Sequence, residues 1–323
     1  ASASMPIVEL VYFNAGGGHC AAAQALAELA QRQQRPWTVR LTPLFDVLDP
    51  AQRFRAWTGM APEAYYNARL ARGWTLGLEQ ELKLLQAGIR ALHPALVRRL
   101  QRHWAASEPD LVVSLVPNFN RALGESLAAT LPGVPFVTVL TDLADHPPSF
   151  WIEPTLDAHW VCGTEHAVAQ ALQAGCRPER VHRSSGMILR PAFHEPATED
   201  RAAARAALGL PADGLVGVVM FGGHGSAEML QVVRALPDTP LILMCGHNER
   251  LAQRLRALPA NEQGKAPRIV VGFTAEVPRW LRLADFFVGK PGPGSLSEAV
   301  ACGLPVVVTR NRRTMPQERY NTV

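Results

Sequence analysis

No apolar run in the 323 residues approaches the length that crosses a bilayer, and no charged start, apolar core and cleavage site mark a secretory leader. A protein of this kind that meets a membrane lies on it. Cysteine is scarce: residues 20, 162, 176, 245 and 302 are odd in number, scattered and without a C-x-x-C pair, which speaks against a disulfide framework or a zinc site and fits a reducing, cytosolic setting. The motifs G-x-x-x-x-G-K-[ST], G-x-S-x-G, H-E-x-x-H and D-x-D are all missing, so NTPase, α/β-hydrolase and zincin chemistry are not supported and no divalent metal is implied. Charge is modest too, at 19% of residues with a net +4, too mild for a chain that binds nucleic acid along its length. There is no solenoid repeat and no low-complexity tract.

What is present is a globular composition, 48% hydrophobic, at a length that suits two doubly wound domains. Short β-branched runs recur with helical stretches between them, at 6–13, 38–42, 111–116, 135–140 and 158–162. The rhythm restarts at 215–221, 240–245, 268–271, 284–288 and 305–309. This strand, helix, strand alternation predicts parallel sheets covered on both faces, an α/β fold. Prolines, mixed charge and a short alanine-rich helix in 190–213 predict a boundary near 193–199, giving domains 5–193 and 200–323.

Residues 51–104 break the pattern. They read as helical and carry nine Arg or Lys against three Glu, a local +6. They also hold Phe54, Trp57, Tyr65, Tyr66, Trp74 and Trp104. Basic and aromatic side chains on one amphipathic surface suit the interface of an anionic bilayer, with Trp57, Tyr65, Tyr66 and Trp74 as anchors. The competing expectation is an ordinary helical insertion whose aromatics belong to the core.

Three glycine-rich turns follow strand-like runs. Gly292, Pro293, Gly294 and Ser295, with Ser297, open an apolar helix where free amides and the helix dipole favour a diphosphate, and Glu298 one turn in is placed to accept two ribose hydroxyls. Gly222, Gly223, His224, Gly225 and Ser226 follow the first strand of the second half as a phosphate nest. In the first half, Gly16, Gly17 and Gly18 precede His19 at a helix start, which lowers the imidazole's pKa and keeps it neutral, as a general base requires. Asp142 and His146 lie past another strand at the same mouth, Asp142 either orienting a base, binding an acceptor hydroxyl, or making an Asx turn.

In this order these residues resemble the family 28 glycosyltransferases of GT-B fold, and within them the monogalactosyldiacylglycerol synthases and bacterial diacylglycerol glucosyltransferases. The resemblance covers nearly the whole chain. N-A-G-G-G-H at 14–19 looks like the acceptor-side glycine loop, and T-D-L-A-D-H-P-P at 141–148 is similar to the family's T-D-x-x-x-x-H-P segment. G-M-I-L-R-P-A-F at 186–193 resembles its strand leading into the hinge. C-G-H-N at 245–248, G-F-T-A-E-V-P-R-W at 272–280 and, most specifically, K-P-G-P-G-S-L-S-E-A at 290–299 match the second half. Pro316-Gln317-Glu318 resembles the segment that reads the donor sugar.

The resemblance implies two Rossmann-like doubly wound domains facing a central cleft, and an inverting, metal-independent transfer of galactose or glucose from UDP-galactose or UDP-glucose to diacylglycerol. The enzyme would work on the inner face of the cell membrane, held peripherally by anionic lipid and without nucleic acid or cofactor. Glu298 would hold the ribose, the two glycine loops of the second half the diphosphate, Phe273 the uracil, and Gln317 with Glu318 the hexose. His19 would deprotonate the acceptor, with Gly17, Gly18, His146 and Asn118 on the acceptor side. Ser114-Leu115-Val116-Pro117-Asn118 departs from the family's S-x-H-P, and Met315-Pro316-Gln317 replaces the usual Pro-Gly-Gln, with Arg310, Arg312 and Arg313 just before it. Family members run past the position of Val323 into a final helix, so this chain is expected to stop short. The alternatives are an N-acetylglucosaminyl transfer from UDP-GlcNAc to a polyisoprenoid-linked acceptor, a UDP-sugar epimerase, and a non-catalytic UDP-binding protein.

Overall fold

Runs such as IVELVY and LVVSL are apolar at nearly every position, which leaves no polar face for solvent and demands cover on both sides. The computed structural model, which describes residues 5–14, 18–49, 78–146, 148–258, 266–309 and 316–322, supplies that cover in two helix-flanked sheets. The first contains β1 (Ile7–Tyr12), β2 (Thr38–Pro43), β3 (Leu111–Leu115), β4 (Phe136–Val139), β5 (His159–Cys162) and β6 (Val181–Arg183), in the order β2-β1-β3-β4-β5-β6. The second contains β7 (Gly217–Met220), β8 (Leu241–Gly246), β9 (Arg268–Gly272), β10 (Phe286–Gly289) and β11 (Val306–Val308), in the order β11-β10-β7-β8-β9. Every pairing is parallel, including the central β1–β3 and β7–β10 pairs.

In each sheet the order reverses between two adjacent strands, β1 and β3 in the first, β7 and β10 in the second. The loops after those strands diverge to opposite faces and open a crevice at the carboxyl ends. Glycine sharpens the second crevice: a Cβ on Gly289 would stand 2.4 Å from the Met220 carbonyl oxygen, so only glycine lets β10 finish this close to β7.

Helices α1 (Gly18–Arg32), α2 (Leu44–Leu48), α3 (Leu78–Ser107), α4 (Asn120–Thr130) and α5 (Glu165–Gln173) flank the first sheet. Helices α6 (Arg201–Ala207), α7 (Glu228–Ala235), α8 (Glu249–Arg256), α9 (Val277–Arg282) and α10 (Pro293–Ala301) flank the second. Side chains cap several of them: Thr164 accepts from Ala167 N–H, Asp200 from Ala203 and Asn248 from Leu251. One face of the first sheet packs Val11, Leu100, Trp104, Leu123 and Trp160 together; the other packs Val8, Leu10 and Val113 on Ala22 and Ala23 of α1.

Two expectations change here. Trp104, counted with the aromatics of the basic segment, is fully buried in that first core, its indole N–H donating to Ser126 Oγ at 2.8 Å. Burial of so large a ring outweighs any gain at a surface, and the N–H is satisfied. Trp57, Tyr65, Tyr66 and Trp74 lie outside the described residues. Residues 186–193 form no strand; the edge strand is Val181–Arg183, followed at a distance by a 3-10 turn, Pro191–Phe193. Gly186 at φ +141° leaves the β region and Pro191 has no N–H for a ladder. The chain passes between cores within this stretch. Ile188 packs on the α1 face of the first sheet while Leu189 and Phe193 pack against the second sheet.

Candidate active site

At the first crevice, β1 runs out through Phe13 and Asn14 toward α1, whose second residue is His19. Its ring lies edge-on to Phe13, with centroids 6.0 Å apart, and 5.9 Å from Trp151. Nδ1 meets Thr141 Oγ1 at 2.9 Å, in the loop after β4. Burial pushes the imidazole down to about 4, against the pull of the Leu115 carbonyl, so the ring is neutral at pH 7. Gly17 lies outside the described residues; Gly18, the first residue of α1, has no described residue beyond its chain neighbours and own helix within 4 Å of where a Cβ would point.

Asp142 is buried and does not pair with His19. Its Oδ2 accepts from Trp151 Nε1 at 2.9 Å. Burial pushes its carboxyl up to about 7; the bond from Trp151 and the Lys290 charge oppose that rise, and Glu318 and Asp145 add to it. The loop that carries these groups is tied from within. Asp145 accepts from Ser149 N–H at 3.1 Å and Trp151 N–H at 2.6 Å, and Asn120 Nδ2 donates to the Trp151 carbonyl at 3.1 Å. Thr141 and Trp151 thus hold the two groups singled out in the sequence. The signal for Trp151 was a tryptophan close behind an acidic loop, whose N–H must find an acceptor once buried. His146 stays exposed. Asn118 takes the left-handed conformation at φ +65°, tolerated by asparagine, with Gln86 Nε2 donating to its Oδ1 at 3.0 Å.

The second crevice is built of backbone. Gly222 and Gly225 have φ of +73° and +58°, and the loop after β8 clamps this one: His247 N–H donates to the Gly223 carbonyl at 2.9 Å and Asn248 Nδ2 to the His224 carbonyl at 3.1 Å. A Cβ on Gly246 would stand 2.1 Å from the Gly223 oxygen, which explains the glycine of C-G-H-N. Gly223 and Gly294 are different. Neither has a positive φ, and beyond their chain neighbours and own helix no described residue lies within 4 Å of their would-be Cβ. The described fold does not require glycine at these two positions, and the absence of a side chain leaves the backbone open to close approach. Gly292 caps α10 without a side-chain bond, so the amides of Gly294 and Ser295 face the crevice uncapped. Ser226 Oγ accepts from Glu228 N–H at 3.2 Å, a local helix cap that leaves its hydroxyl proton to donate. His224 is held below the usual imidazole range by burial, then by His247 and Lys290.

Glu298, part-accessible but crowded by protein, is pushed up to about 7 by burial, with Arg190 opposing. Phe273 is 68% exposed, one face stacked on His247 at 3.9 Å. Glu318, buried, pairs with Lys290 at 3.2 Å; the side chain of Gln317 lies outside the described residues. The turn Pro316–Thr322 joins the two halves: Tyr320 stacks on His166 of α5 at 4.3 Å, and Asn321 Nδ2 donates to the Pro291 carbonyl at 2.6 Å. Since Lys290 and Glu318 act on Asp142, the two crevices face each other.

The family model described as monogalactosyldiacylglycerol (MGDG) synthase matches residues 19–184, just over half of the chain and the half that contains His19, Asn118 and Asp142. The chain belongs to the MGDG synthase family. It is 25% identical to a probable monogalactosyldiacylglycerol synthase of Nicotiana tabacum over 93% of this chain and 57% of that protein, and 25% identical to the Spinacia oleracea synthase over 93% and 58%. A processive diacylglycerol beta-glucosyltransferase of Bacillus subtilis is 26% identical over 66% of this chain and 54% of its own length. The chain therefore spans a little over half the length of the curated relatives it matches. Among solved structures, UGT89C1 of Arabidopsis thaliana complexed with UDP-L-rhamnose has a TM-score of 0.60 at 17% identity, covering 98% of this chain and 81% of that one. MurG of Acinetobacter baumannii has a TM-score of 0.57 at 13% identity, covering 98% and 82%. These likenesses place the MGDG synthase family chain in the two-domain GT-B fold.

Proposed function

We propose that the chain is a UDP-sugar-dependent hexosyltransferase that moves galactose or glucose to diacylglycerol at a membrane surface, by a single inverting displacement that needs no metal. The observation that carries this reading is the opposition of two unlike crevices: a neutral, ring-enclosed His19 on one side, and amide-lined turns whose Gly223 and Gly294 leave room for a ligand on the other. Curated relatives are named as MGDG synthases and diacylglycerol glucosyltransferases, which supports the choice of donor and acceptor class.

In this mechanism Thr141 holds Nδ1 of His19 and the ring's other nitrogen takes the proton of the acceptor hydroxyl. That oxygen attacks the anomeric carbon while the bond to the diphosphate breaks on the opposite face, turning an α-linked donor into a β-glycoside. Glu298 accepts the ribose hydroxyls, Phe273 borders the uracil, and Glu318 with Gln317 contacts the hexose. The α10 amides and dipole stabilise the leaving diphosphate, the role a metal plays elsewhere. The acceptor-side groups Gly18, Asn118 and His146 would rim the opposite mouth. Among the described residues no helix is long and apolar enough to cross a membrane. In this reading contact with lipid is peripheral, on the inner face, through the basic segment 51–104, whose basic and aromatic composition suits an anionic surface.

The test is label transfer into the lipid phase from UDP-galactose and, separately, UDP-glucose, with diacylglycerol in mixed anionic vesicles and EDTA present. Lipid-phase product is expected from one donor, and vesicle binding should rise with anionic lipid and fall with salt. Product on a polyisoprenoid acceptor alone, or epimerised UDP-sugar without transfer, would replace this reading.

A further inference from the structure

The glycine turns and the helix dipole supply partial charges, yet a diphosphate that departs with full negative charge is stabilised more strongly by a cation in contact with it. The structure puts one at the junction. Because Gly289 brings β10 hard against β7, the next residue, Lys290, leaves the sheet at the point where the order reverses. Its Cε lies 3.4 Å from where a Cβ would stand on Gly222 and 3.2 Å from the same point on Gly292, so the side chain crosses between the two glycine turns. Its ammonium is 3.2 Å from Glu318 Oε1, which is buried, while the lysine side chain is one-third exposed. Its charge is felt on both sides, holding His224 down and opposing the rise of Asp142.

We infer that Lys290 is the cation of the donor's diphosphate: Glu318 holds it until the donor enters, and the phosphate oxygens then take it over and free the Glu318 carboxylate for hexose hydroxyls. The inference rests on the UDP-sugar part of the proposed function and deepens it. An ammonium with three donors on a flexible stem suits such an exchange of partners, where a guanidinium fork locked to one carboxylate would resist it. It also gives donor entry a consequence: the carboxylate that reads the sugar becomes available only after the diphosphate has engaged.

The experiment is calorimetric binding of UDP and of uridine to the whole chain and to Lys290→Met, Lys290→Arg, Glu318→Gln and the double variant. Lys290→Met should weaken UDP at least tenfold and leave uridine unchanged, with Lys290→Arg restoring part of the loss. Glu318→Gln should tighten UDP several-fold, and this gain should vanish in the Lys290→Met background, a coupling that a merely structural role would not produce. Unchanged UDP affinity in Lys290→Met would overturn the inference and move the neutralisation to Arg310, Arg312 or Arg313. Equal loss of UDP and uridine would also overturn it, as a folding effect. Wild-type protein that binds neither would overturn both readings, whereas the expected UDP pattern without transfer to diacylglycerol would sink only the acceptor assignment.

Discussion

The two crevices occupy equivalent places in two similar sheets and are furnished in opposite ways. At the first, ionisable side chains are enclosed by rings: His19 against Phe13 and Trp151, Asp142 under the Trp151 N–H. At the second, glycine backbone, an uncapped helix start and a lysine line the wall. A low-dielectric, titratable wall suits the holding and moving of a proton, and a backbone wall suits an anion. One topology thus carries two unlike walls, because the strand order fixes only where a crevice opens and the loop residues decide how it is furnished.

The sharpest way to break this comparison is His19→Ala. Transfer should fall by about 10²- to 10⁴-fold, the usual worth of a general base, with UDP affinity nearly unchanged in titration. A matching loss of UDP affinity would mean that the two walls do not divide the work. The next effect is one of pH and stability. Asp142 is raised to about 7 from 3.8, so its contribution is fully present below pH 3.8 and is lost as pH rises through 7, on the order of 4 kcal/mol by the conversion of a pKa shift to free energy. His19 is lowered to about 4 from 6.5, so its contribution is present above 6.5 and is lost as pH falls through 4. The two slopes oppose each other, and denaturant melts across that range should show Asp142→Asn gaining stability relative to wild type as pH rises and His19→Ala losing it. Parallel curves would show that neither group is coupled to folding.

Glycine substitutions should separate fold from ligand within the second wall. Gly246→Ala meets both a positive φ and the Gly223 oxygen and should destabilise the protein by roughly 1–3 kcal/mol in thermal melts. A Cβ at Gly294 finds open space, so Gly294→Ala should leave the melt unchanged while weakening UDP by about tenfold or more. Equal melts for the two variants would refute the distinction. The smallest effect is expected at the joint between the walls, where Tyr320→Ala removes the stack on His166 and should cost about 0.5–1.5 kcal/mol with a modest change in transfer rate.

Ten strands were legible as apolar runs, and the glycine turns were legible as the places where backbone must come close to something else. The eleventh, Val181–Arg183, is three residues of VHR on a sheet edge, too short and polar for a periodicity to show. The segment 186–193, strand-like by family likeness, is kept from pairing by Gly186 and Pro191. Local pattern alone marked His19 as a helix-start imidazole, Glu298 as a carboxylate one turn into a helix and Gly222 as a turn glycine, because these depend on neighbours a few residues away. What only the tertiary structure decided depends on groups far apart in the chain. Thr141 became the partner of His19 and Trp151 that of Asp142; Trp104 went to the core; Glu318 came to Lys290 across the end of β10. Burial and charge at those positions are sums over neighbours brought together by packing, and no spacing along one chain records them.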